Sequence, residues 1–169
     1  VALLALLPAC PAKPVPASEK DRGEAAAEPT PAAEAERRGP EFVPAPEAGE
    51  VAELVRAELE RAEADGRTLL IYVGATWCEP CRYFHEAVDH GELDEVFPEL
   101  RLLEFDLDRD RDRLAAAGYV SRMIPLFVAP APDGLAGPRR TEGGIKGPGA
   151  VEHIRPRLEG LLDAARADH

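Results

Sequence analysis

The sequence is poor in the residues that hold nucleic acid. Its 169 residues carry 20 Lys and Arg against 32 Asp and Glu, a formal net charge of −12. Phosphate binding needs clustered cations, so this balance argues against DNA or RNA as a partner. It also disfavours adhesion to anionic lipid through a basic patch, and the plain reading of the acidity is a solubilising surface. Aromatic residues make up only 5% of the chain, and alanine inflates its 45% hydrophobic share. One small core is what that content supports. No apolar run approaches the roughly 20 residues of a membrane-spanning helix.

What is abundant is proline, and it is unevenly placed. Eight of the 17 prolines lie between Pro11 and Pro46, whereas the last hundred or so residues have a globular composition. The chain therefore divides into an apolar front at 1–10, a Pro/Ala/Glu-rich linker at 11–48 and a folded domain at 49–169. Residues 1–10, Val-Ala-Leu-Leu-Ala-Leu-Leu-Pro-Ala-Cys, fit the apolar core of a secretory signal. The segment Leu7-Pro8-Ala9-Cys10 resembles a bacterial lipobox, which makes Cys10 a candidate lipidation site. A cleaved signal with an incidental cysteine is the alternative. Cys10 is the odd cysteine beside a pair, and an exported odd cysteine calls for an explanation. The linker has too few large apolar residues to offset the entropy of ordering, and its prolines favour an extended spacer.

Within the domain, Val51, Leu54, Val55, Leu59 and Ala62 recur at helical spacing, and Gly66 ends the run. Thr68 to Val73 has no polar face and reads as a strand buried on both sides. A helix is expected from Cys81 to about His90, a strand over Arg101–Leu107 and a short helix over Arg109–Ala117. Ile124–Ala129 and Arg139–Ile145 read as strands around an Asp133-Gly134 turn, and Ala150–Ala165 as a closing helix containing Pro156. Strands separated by helices pair in parallel, and the late hairpin adds an antiparallel edge. The expected fold class is α/β, a mixed sheet sandwiched by helices.

The chemistry concentrates at Trp77-Cys78-Glu79-Pro80-Cys81. A cysteine at a helix N-terminus meets unpaired N–H groups and a dipole that favour the thiolate. The thiolate is the species that attacks a disulfide, and a second cysteine one turn on can resolve the mixed disulfide. Cys78 is therefore the candidate nucleophile and Cys81 the resolving thiol. Pro80 is tolerated in a first turn, where no amide donor is needed. An inert structural disulfide and half of a zinc site with His85 are the bland alternatives. A structural zinc site wants four ligands, and no further cysteine is at hand. His85 and His90 are expected on the solvent side of the helix.

At Ala75-Thr76-Trp77-Cys78-Glu79-Pro80-Cys81, following a buried strand, the sequence resembles the thioredoxin superfamily, and the extension of the first helix through Ala64-Asp65-Gly66 into that strand is similar to its exported bacterial members. Met123-Ile124-Pro125 is similar to the same superfamily's cis-proline segment. The resemblance runs from about Val51 to Ala165. It implies a thioredoxin fold with a four- to five-stranded mixed sheet. It further implies a cis Pro125 facing the disulfide, with Trp77, Ile124 and Pro125 as client-binding residues.

The pattern departs from the family at one place. The buried carboxylate that thioredoxins carry five residues before the tryptophan is Tyr72 here, and a phenol titrating at roughly 10 is a poor base. Glu104, aligned with a lysine beneath the thioredoxin disulfide, is the substitute candidate for the proton of Cys81; a solvated strand residue is the other reading. Glu79 adds negative charge beside the thiolate, and it and Ile124 lean toward a reducing potential.

The expectation is thus a thiol–disulfide oxidoreductase, needing no cofactor or metal, that reduces disulfides of exported proteins. It would act as a monomer at the periplasmic side of the bacterial cell envelope, lipid-anchored to a membrane, taking electrons from a membrane donor. A disulfide-forming oxidase and a non-catalytic binding or chaperone lipoprotein are the alternatives.

Overall fold

The structure is a computed structural model, and it describes residues 38–166. The expectations for the signal segment, for Cys10 and for the linker before residue 38 lie outside the described residues. Within them the strands are β1 (Glu41–Pro44), β2 (Thr68–Gly74), β3 (Leu100–Asp106), β4 (Leu126–Pro130) and β5 (Ala136–Glu142). The helices are α1 (Val51–Ala64), α2 (Glu79–Asp89), α3 (Leu107–Ala116) and α4 (Ala150–Arg166).

The strands form one sheet in the order β1-β3-β2-β4-β5. β1 and β2 flank β3 in parallel, and β4 runs antiparallel to both β2 and β5. Alternation along β2 explains why it carries no charged residue and is mostly apolar. Leu70 and Tyr72 face α2 and α4, where they meet Phe84, Ile154 and Leu158. Leu69, Ile71 and Val73 face α1 and α3, against Val51, Val55 and Leu114. With helices on both faces, a polar residue in this strand would have no water to reach. This is the thioredoxin fold, with five strands.

Local signals set the boundaries. α1 ends where Gly66 takes φ +68°, freeing Arg67 N–H to reach back to Ala62 C=O at 2.7 Å. α4 continues through Pro156. β5 starts three residues earlier than expected, because pairing begins almost directly after the Asp133-Gly134 turn; Ile145 falls outside it and is exposed.

The linker reading over 11–48 needs correction at its end. Glu41–Pro44 is an edge strand, in register with Arg101–Glu104, and Ala45 N–H extends the ladder to Glu104 C=O at 2.8 Å. Prolines are compatible with an edge, where one side of the backbone needs no partner. Phe42 anchors the strand by packing edge-on against Tyr72 and Phe84. Arg101 bridges it to α1, contacting Glu41 at 3.3 Å, buried Glu58 at 3.5 Å and Asp65 at 2.8 Å. The folded unit therefore takes in residues ahead of 49.

Candidate active site

Buried β2 delivers the chain to the end of the sheet at Gly74, and a turn closed by Cys78 N–H to Ala75 C=O (3.0 Å) leads into α2. The helix begins at Glu79, two residues before the expected Cys81, so Cys78 is its N-cap. Cys78 and Cys81 form a disulfide with their Cα atoms 5.2 Å apart. Cys78 Sγ accepts a hydrogen bond from Cys81 N–H at 3.3 Å. The sulfur thus occupies the place of a capping oxygen, where the helix end stabilises negative charge. Both cysteines are nearly enclosed by protein.

Each neighbouring residue singled out in the sequence has a definite place. Trp77 is 63% exposed, and its indole N–H donates to Asp108 Oδ2 at 2.7 Å. The Ile124–Pro125 bond is cis, as the resemblance implied. Ile124 packs against the same core cluster that contains both cysteines. Glu79 Oε1 accepts from Gly147 N–H at 3.1 Å, tying the residue between the cysteines to the segment before α4. Exposed Met123 precedes Ile124.

Beneath α2 the register brings Tyr72, Glu104 and Pro44 into one row across β2, β3 and β1. Tyr72 is fully buried core, and its Oη has no hydrogen-bond partner. Burial, and then the charge of Glu104, push its phenol above the ordinary tyrosine range. It cannot serve as a base. Glu104 is half-buried, and its Oε1 lies 2.9 Å from His85 Nε2. The expected solvent-side placement of His85 is therefore wrong, whereas His90 is exposed as read. The imidazole lies flat on Phe42, with centroids 3.9 Å apart and planes at 7°. The four-residue spacing from Cys81 that suggested half of a zinc site also puts His85 one turn along the same helix face as Cys81. Its partner ring belongs to the strand that composition had hidden.

A solvent-open cavity of about 450 Å³ joins these parts, with Cys81, His85, Glu104 and Tyr72 in its wall. The arrangement places a thiol pair at a helix N-terminus beside acid–base side chains, which suits thiol–disulfide exchange.

No known protein-family model matches the chain. Thioredoxin H4-2 of Oryza sativa subsp. japonica is 30% identical over 70 residues, 41% of this chain and 50% of that protein. The chain thus spans about half the length of the curated relative it matches. Among solved structures, oxidized thioredoxin O1 from Arabidopsis thaliana is similar with a TM-score of 0.40 and 16% identity, covering 75% of this chain and 96% of that one. A poplar wild-type thioredoxin h gives a TM-score of 0.40 and 20% identity, over 74% of this chain and 97% of its own.

Proposed function

We propose that the protein is a thiol–disulfide oxidoreductase that uses Cys78 and Cys81 to reduce disulfides in exported proteins. The observation carrying this reading is the Cys78–Cys81 disulfide at the start of α2, with Cys78 Sγ as the helix cap. In the dithiol form, Cys78 thiolate attacks a client disulfide. A Cys78–client S–S bond forms, the client bond breaks and one client sulfur leaves as a thiolate. Cys81 then loses its proton and attacks Cys78 Sγ, expelling the second client thiolate. The client gains two electrons, and the protein is left as the disulfide.

Trp77, Ile124 and Pro125 form the client-facing surface in this reading, the backbone at Ile124 pairing with the client. Glu79 and Ile124 support the reducing direction. The apolar front and Cys10 support export and a lipid anchor at the envelope, the linker holding the domain off the membrane. A membrane-held dithiol donor restores the reduced pair.

The reduction potential decides the reading, measured by thiol trapping after equilibration in graded thiol–disulfide buffers. A value close to about −270 mV, as in thioredoxin, supports a reductant. One close to about −120 mV makes the protein a disulfide donor instead. A pair that never exchanges overturns the catalytic reading and leaves binding as the better account. For the anchor, detergent-phase partitioning of the full chain made in bacteria is expected to disappear in Cys10→Ser; unchanged partitioning removes the lipid.

A further inference from the structure

We propose that His85 takes the proton of Cys81 in the resolving step and that Glu104 is the residue that positions it. This rests on the oxidoreductase reading above and assigns its missing base. Helical side chains lean toward the N-terminus, so His85 lies over the turn that carries Cys81. Both residues line the same cavity. The ring is held on two sides, flat against Phe42 and edge-on to Tyr72 at 5.4 Å. With Glu104 ionised, its 2.9 Å contact to Nε2 calls for a proton on that nitrogen. Nδ1 is then the atom left to accept. A carboxylate fixing the tautomer of an imidazole that serves a nucleophile is a general solution to this chemistry.

The other charged or titratable groups of this cavity are committed elsewhere. From α2, Arg82 pairs with Glu86 at 2.8 Å. Asp106, at the end of β3, caps α3 by accepting from Asp108 and Arg109 N–H. From α3, Arg109 is held by Asp110 at 2.9 Å. β2 presents Tyr72, whose phenol stays protonated, and β1 presents only Phe42 and Pro44. His85 and Glu104 are each about one-third exposed, at 32% and 30%, so a proton taken up can pass on to water.

The balance is simple. Cys81 S–H gives its proton to Nδ1, directly or through a water in the cavity. The resulting thiolate attacks Cys78 Sγ, the mixed disulfide breaks and the client sulfur leaves with the electron pair. The imidazolium, stabilised by Glu104, then returns the proton to solvent or to the departing thiolate.

The test uses the reduced protein and an aromatic disulfide that releases a coloured thiolate. The first release reports attack by Cys78, the second attack by Cys81, and stopped-flow absorbance follows both across pH. In His85→Gln the second release is expected to slow about ten-fold at neutral pH, with its midpoint moved to higher pH. Glu104→Gln is expected to slow it about three-fold, and the double variant to be no slower than His85→Gln. Added imidazole should restore part of the rate in His85→Ala, which loss of packing alone would not allow. Circular dichroism and thermal unfolding report that each variant is folded, and the first release gives the attack by Cys78 against which the second is compared. A His85→Gln profile that matches wild type overturns the proposal, and slowing in Glu104→Gln alone would make Glu104 the base by itself. If the wild-type protein gives no first release, the oxidoreductase reading falls, and this one with it.

Discussion

The indole N–H of Trp77 donates to Asp108 Oδ2 across 2.7 Å, joining the residue before the first cysteine to the first turn of α3. The ring is otherwise 63% exposed, so this bond is what fixes a large apolar surface beside the disulfide. Asp108→Ala should let the ring rotate away. An exposed charge-assisted bond of about 1 kcal/mol corresponds to roughly a five-fold effect. Exchange with a protein disulfide is expected to slow by about that factor, with a small disulfide unaffected and Asp108→Asn partly restored. Equal slowing with both substrates would mean that Trp77 does not meet the client.

Tyr72 offers a test with the opposite sign. Its Oη is buried without a hydrogen-bond partner, an arrangement that costs stability. Tyr72→Phe keeps the ring packing and removes the orphan oxygen. We expect a gain of about 1 kcal/mol, seen as a Tm higher by roughly 3–6 °C. Exchange rates should stay within about two-fold, because a phenol pushed up by burial takes no part in proton transfer. A slower resolving step in this variant would return Tyr72 to the mechanism.

Asp110 should make stability sensitive to acid. It is buried, and burial opposes its ionisation. Bonds from Arg109 at 2.9 Å, Arg113 at 2.8 Å and Asp106 N–H at 3.0 Å outweigh that effect. Its carboxyl is held below the usual range. A depressed native pKa gives stability that is fully present above the unfolded value, about 3.9, and lost as pH falls through the native one. Arg113 also donates to Pro46 C=O at 2.6 Å, so the group secures the segment after β1. Asp110→Ala should lose about 3 kcal/mol in urea unfolding at pH 7. The gap to wild type should narrow below about pH 4. A constant gap across that range would show that Asp110 acts through packing alone.

The parts legible in the sequence were those governed by short-range physics. Thr68–Val73 announced a strand buried on both sides because it has no polar face, and the thiol spacing with Pro80 announced a helix start, placed two residues late at Cys81. β1 was hidden because its four residues, which follow one proline and end in another, carry no period, and they become a strand only against Arg101–Glu104. The role of His85 was hidden for the same reason. Spacing put it on the cysteine face, but its place depends on Phe42 from β1 and on Glu104 from β3, more than ten residues away in sequence. Glu104 could be named from alignment alone, but its partner could not.

Glu79, between the two cysteines, has its Oε1 held by Gly147 N–H at 3.1 Å. The carboxylate is therefore kept next to the helix cap instead of swinging into water. Two effects oppose each other there. Acidic residues in a first turn stabilise the helix by about 0.3–1 kcal/mol. The same charge repels a thiolate on the adjacent Cys78, which disfavours the reduced, ionised form. Glu79→Gln keeps the size of the side chain and an acceptor for Gly147 while removing the charge. Cys78 should then ionise at lower pH, read from the pH dependence of its alkylation in the reduced protein. A differential interaction of roughly 0.7 kcal/mol corresponds to about 15 mV for a two-electron couple, here toward the oxidising side. Stability should fall by a few tenths of a kcal/mol as the helix loses its first-turn charge. Should the potential stay fixed while the alkylation midpoint moves, the charge would be acting on reactivity alone. Should it move toward the reducing side, the Glu79–Gly147 bond, and not the charge, would be the feature that sets the balance between dithiol and disulfide.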